Sequence, residues 1–229
     1  MLVPQCAKCV TRFCARESWE EGQLPEFCPM KHKPGVIEQA LEKYGDEDTR
    51  RLHVNSAIIE QQAYQMVRGR LISVRPRLLE IMKFSESMGW HDLGVAYCGG
   101  LTDEAGRVVE VLEKAGFRVR SVVCSCGGVD KTRFGVPGEH KIASLYGDPD
   151  RFEAGCNPIA QAEVLNSENL DLHIIVGLCI GHDLLFTRYS RAPVTTLIVK
   201  DRVTGHNPVA SLYSGYHNPR YYTEKTDQT

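Results

Sequence analysis

The sequence predicts an α/β protein: a Rossmann-like, mostly parallel sheet, preceded by a cysteine-rich metal module and a helical segment. Three observations carry this. From His91 onward, short apolar runs alternate with helical patterns, which is how a parallel sheet with crossover helices is written. Three of the runs end in cysteine and glycine: Val95-Ala96-Tyr97-Cys98-Gly99-Gly100, Val122-Val123-Cys124-Ser125-Cys126-Gly127-Gly128 and Val176-Gly177-Leu178-Cys179-Ile180-Gly181. Before the sheet, Cys6, Cys9, Cys14 and Cys28 are spaced C-x2-C-x4-C-x13-C in a stretch poor in apolar residues.

Residues 1–33 form the expected metal-binding module. The short gap in Cys6-Ala7-Lys8-Cys9 lets two sulfurs reach one ion from a single turn. Four thiolates suit tetrahedral zinc or an iron–sulfur cluster, and the metal supplies folding energy that so small a core cannot. The spacing fits neither ferredoxin pattern nor a paired zinc ribbon, so it leaves the metal open. A redox-active pair at Cys6 and Cys9 is the competing reading. His32, between two lysines, reads as solvated.

Residues 34–90 read as helical. Pro34 suits a first turn, with Val36, Ile37, Ala40, Leu41 and Tyr44 as a packing stripe ending at Gly45. A longer helix is expected from Asp48 to about Arg68, with Leu52, Ala57, Ile59, Ala63 and Met66 facing a core. A third starts near Pro76, carries Leu78, Leu79, Ile81, Met82 and Phe84, and ends at Gly89.

Residues 91–210 form the expected Rossmann-like domain, and 211–229 a C-terminal tail. Strands are expected at 93–97, 117–123, 172–178 and 194–199. Thr102 is read as the cap of the first crossover helix and Gly116 as its stop; Asn157-Pro158 opens the next, and Asp183 caps the one after. Between them, 127–155 is a long Gly- and Pro-containing connection with a short helix near 140–145, read as a lid over the strand ends.

Ligands of open α/β sheets sit beyond the carboxyl ends of the strands. Cys98, Cys124, Cys126 and Cys179 all fall there, and Cys156 precedes a helix start, where the backbone favours thiolate. His182 follows Cys179 by three residues, and His206 follows the last strand. The expected cofactor-binding set is Cys98, Cys124, Cys126, Cys156, Cys179 and His206, with Cys156, Cys179 and His182 as catalytic candidates. Asp130 and Lys131 are lesser candidates for acid–base or anion contacts. Three cysteines on a [4Fe-4S] cluster leave one iron open to substrate, as in an iron–sulfur-dependent lyase, desulfidase or oxidoreductase. Cysteines plus His182 around zinc give a Lewis-acid site instead.

Composition excludes some classes. A formal charge of −2 gives no basic face for nucleic acid. No apolar run approaches the ~18 residues of a membrane helix, and the segment before Cys6 is too short for a signal peptide, so the chain is expected in the cytoplasm. There, nine cysteines read as metal ligands or reactive thiols rather than disulfides. The G-x-G-x-x-G, G-x4-G-K-[ST] and G-x-S-x-G signatures are absent.

The chain resembles the domain-of-unknown-function 1847 family, described as uncharacterised metal-binding proteins of bacteria and archaea, many of them anaerobes. The resemblance spans nearly the whole chain. It rests on Cys6-Ala7-Lys8-Cys9, Phe27-Cys28-Pro29-Met30, Cys156-Asn157-Pro158-Ile159-Ala160-Gln161-Ala162, Gly177-Leu178-Cys179-Ile180-Gly181-His182-Asp183, Lys200-Asp201-Arg202 and Gly205-His206-Asn207-Pro208. It implies metal binding in general terms and no established activity.

The leading expectation is an iron–sulfur protein, with [4Fe-4S] ahead of zinc, whose second thiolate-rich site serves redox or sulfur chemistry on a small molecule or redox partner. The alternatives are a non-catalytic zinc-stabilised sensing or partner-binding protein, and thiol–disulfide exchange through Cys6 and Cys9 or Cys124 and Cys126.

Overall fold

The computed structural model describes residues 3–217 and 221. The chain divides into two compact units, Met1–Gln62 and Ala63–Thr229, so the helical stretch expected over 34–90 is shared between them.

The first unit opens with single 3-10 turns at Cys6–Lys8, Phe13–Ala15 and Glu21–Gln23. Short α1 (Pro29–His32), α2 (Pro34–Glu42) and the longer α3 (Glu47–Gln62) follow. Leu24 and Ile59 are the only buried apolar side chains among its described residues. A unit this poor in core needs some other source of stability. The stripe on α2, expected to pack, contains no buried residue, and of the α3 candidates within the helix only Ile59 is buried. His32 is not free: its Nε2 meets the carbonyl of Glu26, whose carboxylate pairs with Lys31.

The second unit begins with a correction. Instead of a helix running to Arg68, residues after Gln62 form a hairpin, β1 (Tyr64–Val67) and β2 (Arg70–Ser73), with Val67 opposite Arg70. Arg68 and Gly69 make its two-residue turn with φ of 50° and 75°. Two successive left-handed residues match the twist of a hairpin, and the aromatic and β-branched flanks favour extension. Helical periodicity through Ala63 and Met66 concealed it.

The helix α4 (Arg77–Met88) then leads to β3 (Asp92–Tyr97), α5 (Thr102–Lys114), β4 (Arg118–Val123), α6 (Pro158–Asn166), β5 (Leu172–Val176), α7 (His182–Tyr189), β6 (Val194–Ile198) and α8 (Pro208–Tyr213). The fold is mixed α/β with a four-stranded parallel sheet ordered β4-β3-β5-β6. The chain leaves β3 toward β4, returns past it to β5 and continues outward. The winding direction therefore reverses between β3 and β5, where open α/β sheets leave a crevice at their carboxyl ends.

Every residue of β5 is buried, as expected of an inner parallel strand. The core joins Val95 and Ala96 of β3, Val108 and Leu112 of α5, Ala162 and Leu165 of α6, Ile81 of α4 and Phe186 of α7. Asp171 accepts from the N–H groups of His91 and Asp92 (2.8 and 2.9 Å), fixing the starts of β3 and β5 side by side. Two caps differ from expectation. Leu101 rather than Thr102 precedes α5, and Thr102 donates to Gly99 O (2.8 Å). Gly181, with φ of 84°, precedes α7, so Asp183 lies inside its first turn.

Residues 127–155 are not a loose lid. Three 3-10 turns, Lys131–Phe134, Gly138–His140 and Ile142–Tyr146, are tied together by charge. The Lys141 side chain, 3% exposed, pairs with Asp130 at 2.9 Å and donates to Arg151 O at 3.1 Å. Glu153 accepts from Ala143 N (2.8 Å) and pairs with Lys131. The N–H groups of Glu153 and Thr132, then Lys141, hold the Asp130 carboxyl well below the usual range. Asp130 and Lys131 both fasten this connection: Asp130 is the counter-charge that buried Lys141 needs, and Lys131 pairs with Glu153.

His173 on β5 is fully buried. Ser190 Oγ donates to Ala192 O (2.9 Å), so the imidazole Nδ1–H donates to Ser190 Oγ (2.5 Å) and Nε2 keeps an unpartnered lone pair. Burial pushes its pKa down to about 4. The unfolded chain takes up this proton near pH ~6.5 and the folded chain does not, so stability is present above that pH and falls between pH ~6.5 and ~4. Urea unfolding at pH 7 and pH 4.5 is expected to show this histidine costing about 2 kcal/mol at the lower pH. The His173→Gln protein should lose about that much less between the two pH values; an equal loss would remove the assignment.

Candidate thiolate centre at the strand ends

Cys98, Cys124 and Cys156 interact through their sulfurs, and Cys179 acts on Cys156 only through charge. Cys98 follows β3 directly, its N–H on Val176 O of β5 (3.2 Å). Cys124 follows β4, its N–H on Tyr97 O (2.8 Å). Cys156 stands just before α6, whose cap Asn157 donates its N–H to Cys124 O (2.7 Å) and accepts from Ala160 N (3.1 Å). Cys179 lies in the turn after β5, its carbonyl accepting from His182 N (2.9 Å) and Asp183 N (3.2 Å). The repeated strand-end cysteine is thus a product of parallel register: Tyr97 lies level with Val123 on one side and Val176 on the other.

The thiols sense one another. Cys124 and Cys156 share a hydrogen bond, which with the Gly99 N–H (3.3 Å from the Cys124 sulfur) and Cys98 brings the Cys124 pKa down to about 5. The same bond, then burial and the charges of Cys124, Cys179 and Cys98, pushes Cys156 far up. The shared bond thus favours deprotonation of Cys124 and opposes that of Cys156. Two cations close the group: Lys200 Nζ lies 2.8 Å from the Cys98 sulfur and Arg202 Nη2 lies 3.0 Å from the Cys179 sulfur.

The remaining candidates separate. Cys126 sits in the turn after β4 with its N–H on Val123 O (3.2 Å), and its sulfur has no part in these contacts. The intervening Ser125 turns the chain, so the two-residue spacing does not keep Cys124 and Cys126 on one face. His206 accepts from Asp201 N at Nδ1 (3.1 Å) and returns its own N–H to Asp201 O (2.9 Å), closing its own loop after β6. His182 opens α7 beside Cys179, and its buried Nδ1 has no partner.

Gln161 was not legible as a functional residue. Wholly buried on α6, its Nε2 donates to Val122 O (2.7 Å) and Tyr97 O (3.1 Å). It ties the helix that starts at Cys156 to the strands that end in Cys98 and Cys124. Its place one turn after the Asn157 cap is the only sequence signal it carries. Lys200 and Arg202 were visible only as part of a charged tripeptide.

In the first unit, Cys6, Cys9, Cys14 and Cys28 line one small cavity of about 130 Å³, with Phe13, Leu24 and Met30 among its walls. Thr11, then the N–H groups of Arg12 and Thr11, hold the Cys9 thiol below its ordinary pKa. Among the described residues, no group of three or more His, Cys, Asp or Glu side chains is already drawn to metal-holding spacing. Both places offer the sulfur donors that a soft metal prefers: sulfur alone in the first unit, and at the strand ends sulfur with Lys200 and Arg202 against two of the cysteines.

A family model described as "Protein of unknown function (DUF1847)" matches residues 28–197. The chain belongs to the DUF1847 family. The uncharacterized protein MJ0455 of Methanocaldococcus jannaschii is 41% identical over 213 residues, covering 93% of this chain and 95% of that one. No solved structure matches. The DUF1847 match includes Cys28 and all four strand-end thiols, and stops before Lys200 and Arg202. Among the described residues, no helix is long and apolar enough to cross a membrane.

Proposed function

We propose that this DUF1847 protein is a cytoplasmic iron–sulfur protein whose Rossmann-like domain carries out redox or sulfur chemistry at the strand-end thiols. The observation behind it is convergence. Cys98, Cys124 and Cys156 come from three separate segments into contact, Cys179 is near enough to act on Cys156 through charge, and Lys200 and Arg202 lie against the Cys98 and Cys179 sulfurs. Four gathered thiols in a reducing compartment are the donor set of a soft metal or cluster, with zinc as the runner-up. Held by all four thiols, an iron–sulfur cluster would supply electron transfer; held by three, it would leave one iron open for a sulfur ligand. The chain's own residues have distinct parts: Gln161 and the Gly99 N–H keep the sulfurs in place, and the two cations offset their charge. Cys6, Cys9, Cys14 and Cys28 hold a second metal that stabilises the first unit.

The test is an ultraviolet–visible spectrum with iron, zinc and acid-labile sulfide analysis on protein purified without oxygen. The expected protein is brown, with broad absorbance near ~400 nm and iron matched by sulfide. A colourless protein with zinc and no sulfide would reject the cluster.

The hydrogen-bonded Cys124–Cys156 pair favours one other reading, thiol–disulfide exchange. An external disulfide RSSR is reduced to two RSH while the pair becomes a disulfide. It replaces the pairing of Cys124 with Cys126 expected from spacing. A reversible two-electron titration of metal-free protein, lost in Cys156→Ser, distinguishes it.

A further inference from the structure

We infer that the β1–β2 hairpin is a docking edge for an extended acidic segment of a partner protein, which adds beside β2 as a third strand. The inference is independent of the cysteines and of any metal they hold.

The hairpin is an incomplete sheet. It has two strands, and every residue of both is exposed. Such a hairpin is marginal in water until a third strand or a helix joins it. Exposed apolar side chains lie on both faces, Met66 with Leu71 on one and Val67 with Ile72 on the other. The β2 edge is open as well. Val74 N–H donates to Ala63 O (2.8 Å), and bonded positions alternate along an antiparallel pair, so Gln65–Ile72 and Val67–Arg70 are the bonded pairs. The N–H and C=O groups of Leu71 and Ser73 therefore point away from β1, and among the described residues no other backbone group meets them.

Charge selects what joins it. Residues 63–79 contain Arg68, Arg70, Arg75 and Arg77 and no Asp or Glu, in a protein whose formal charge is −2. Arg77 already reaches Glu80 and Thr195. Arg68 in the turn and Arg70 on β2 are exposed and, among the described residues, pair with no carboxylate. β1 carries no charged residue, so the basic edge is β2. A second copy laid along β2 would bring more arginines to that edge, which opposes pairing. A lipid surface would leave the outward groups of Leu71 and Ser73 without partners. An acidic strand meets both demands. Its backbone pairs with Leu71 and Ser73, its carboxylates lie on the Arg70 face, and its alternate apolar side chains lie on the Leu71 face.

Fluorescence-anisotropy titration of the full chain, purified without oxygen, compares a labelled, capped peptide of alternating aspartate and valine with one that has lysine in place of aspartate. The acidic peptide is expected to bind at least about tenfold more tightly, and the preference should shrink as salt rises from ~0.05 to ~0.5 M. Arg70→Glu, a change at an exposed position, should bring the two peptides to within about twofold, while Arg70→Lys keeps the preference. Leu71→Pro removes one outward N–H but leaves the bonds to β1 and the charges in place, and it should weaken the acidic peptide at least about fivefold. Equal binding of the two peptides, or a preference that survives Arg70→Glu, would overturn the inference. Undiminished binding to Leu71→Pro would also overturn it, since charge would then act without strand pairing. So would light scattering that shows a dimer lost in Leu71→Pro, which gives the edge to a second copy. Co-sedimentation with phosphatidylserine vesicles that is lost in Arg70→Glu would overturn it in favour of lipid.

Discussion

Cys124→Ser and Cys156→Ser proteins, purified without oxygen, should retain at least about tenfold less metal at the strand ends than the parent after a challenge with chelator. Loss of a group that merely orients a ligand already costs about 10–100-fold in metal affinity, and loss of a ligand costs no less. The fold should survive. Serine is close to cysteine in size and can still accept the Gly99 N–H that now meets the Cys124 sulfur at 3.3 Å. The expected stability change is within about 1 kcal/mol, read as an unchanged circular dichroism spectrum and a small shift in melting temperature. Cys126→Ser is the control, because its sulfur stands apart from the four, and it should keep its metal. Cys28→Ser separates the two units, since it should release only the metal of the first. Full retention in both Cys124→Ser and Cys156→Ser would end the strand-end metal reading.

The Gly177→Ala protein should be the least stable of the single variants and should lose strand-end metal without any cysteine being touched. Gly177 follows β5 with φ of 69°, and a Cβ there would come within 2.6 Å of Leu101 Cδ2. Leu101 is fully buried and cannot swing aside. Left-handed backbone costs alanine about 1–2 kcal/mol and overpacking about 1–3 kcal/mol, so a loss of about 2–5 kcal/mol is expected. In a unit of this size that lowers the melting temperature by roughly 5–15 °C, measurable by calorimetry. The effect reaches the site because Leu101 closes the turn after Cys98, while Gly177 begins the turn that carries Cys179. Pushing them apart separates two of the four sulfurs. A melting temperature within about 2 °C of the parent would show that the contact relaxes freely, and the positioning role of Gly177 would go with it.

The sequence by itself determined the α/β class and the placement of thiols at one sheet edge. Both are local statements: period and turn chemistry mark each strand, and parallel register then sets the ends of β3, β4 and β5 level. Capping chemistry also placed Cys156 at a helix start, since Asn157 and Pro158 are read from neighbours alone. Where local signals competed, the sequence misled. Ala63 and Met66 continue a helical stripe, and only the two left-handed residues Arg68 and Gly69 turn that stretch into a hairpin. The lid expected over 127–155 became a fastened connection, because the pairing of Lys141 with Asp130 depends on burial that no local pattern announces.

Which of the candidates touch one another was decided by tertiary structure alone. Spacing put Cys126 and His206 among the candidates on equal terms with Cys98 and Cys179. A single turn sets Cys126 apart from Cys124, and His206 is engaged in a loop closed through Asp201. Gln161, Lys200 and Arg202 entered because side chains remote in sequence converge where the winding direction reverses between β3 and β5. Their roles consist of distances to sulfurs and carbonyls, and those distances exist only once the strands are side by side.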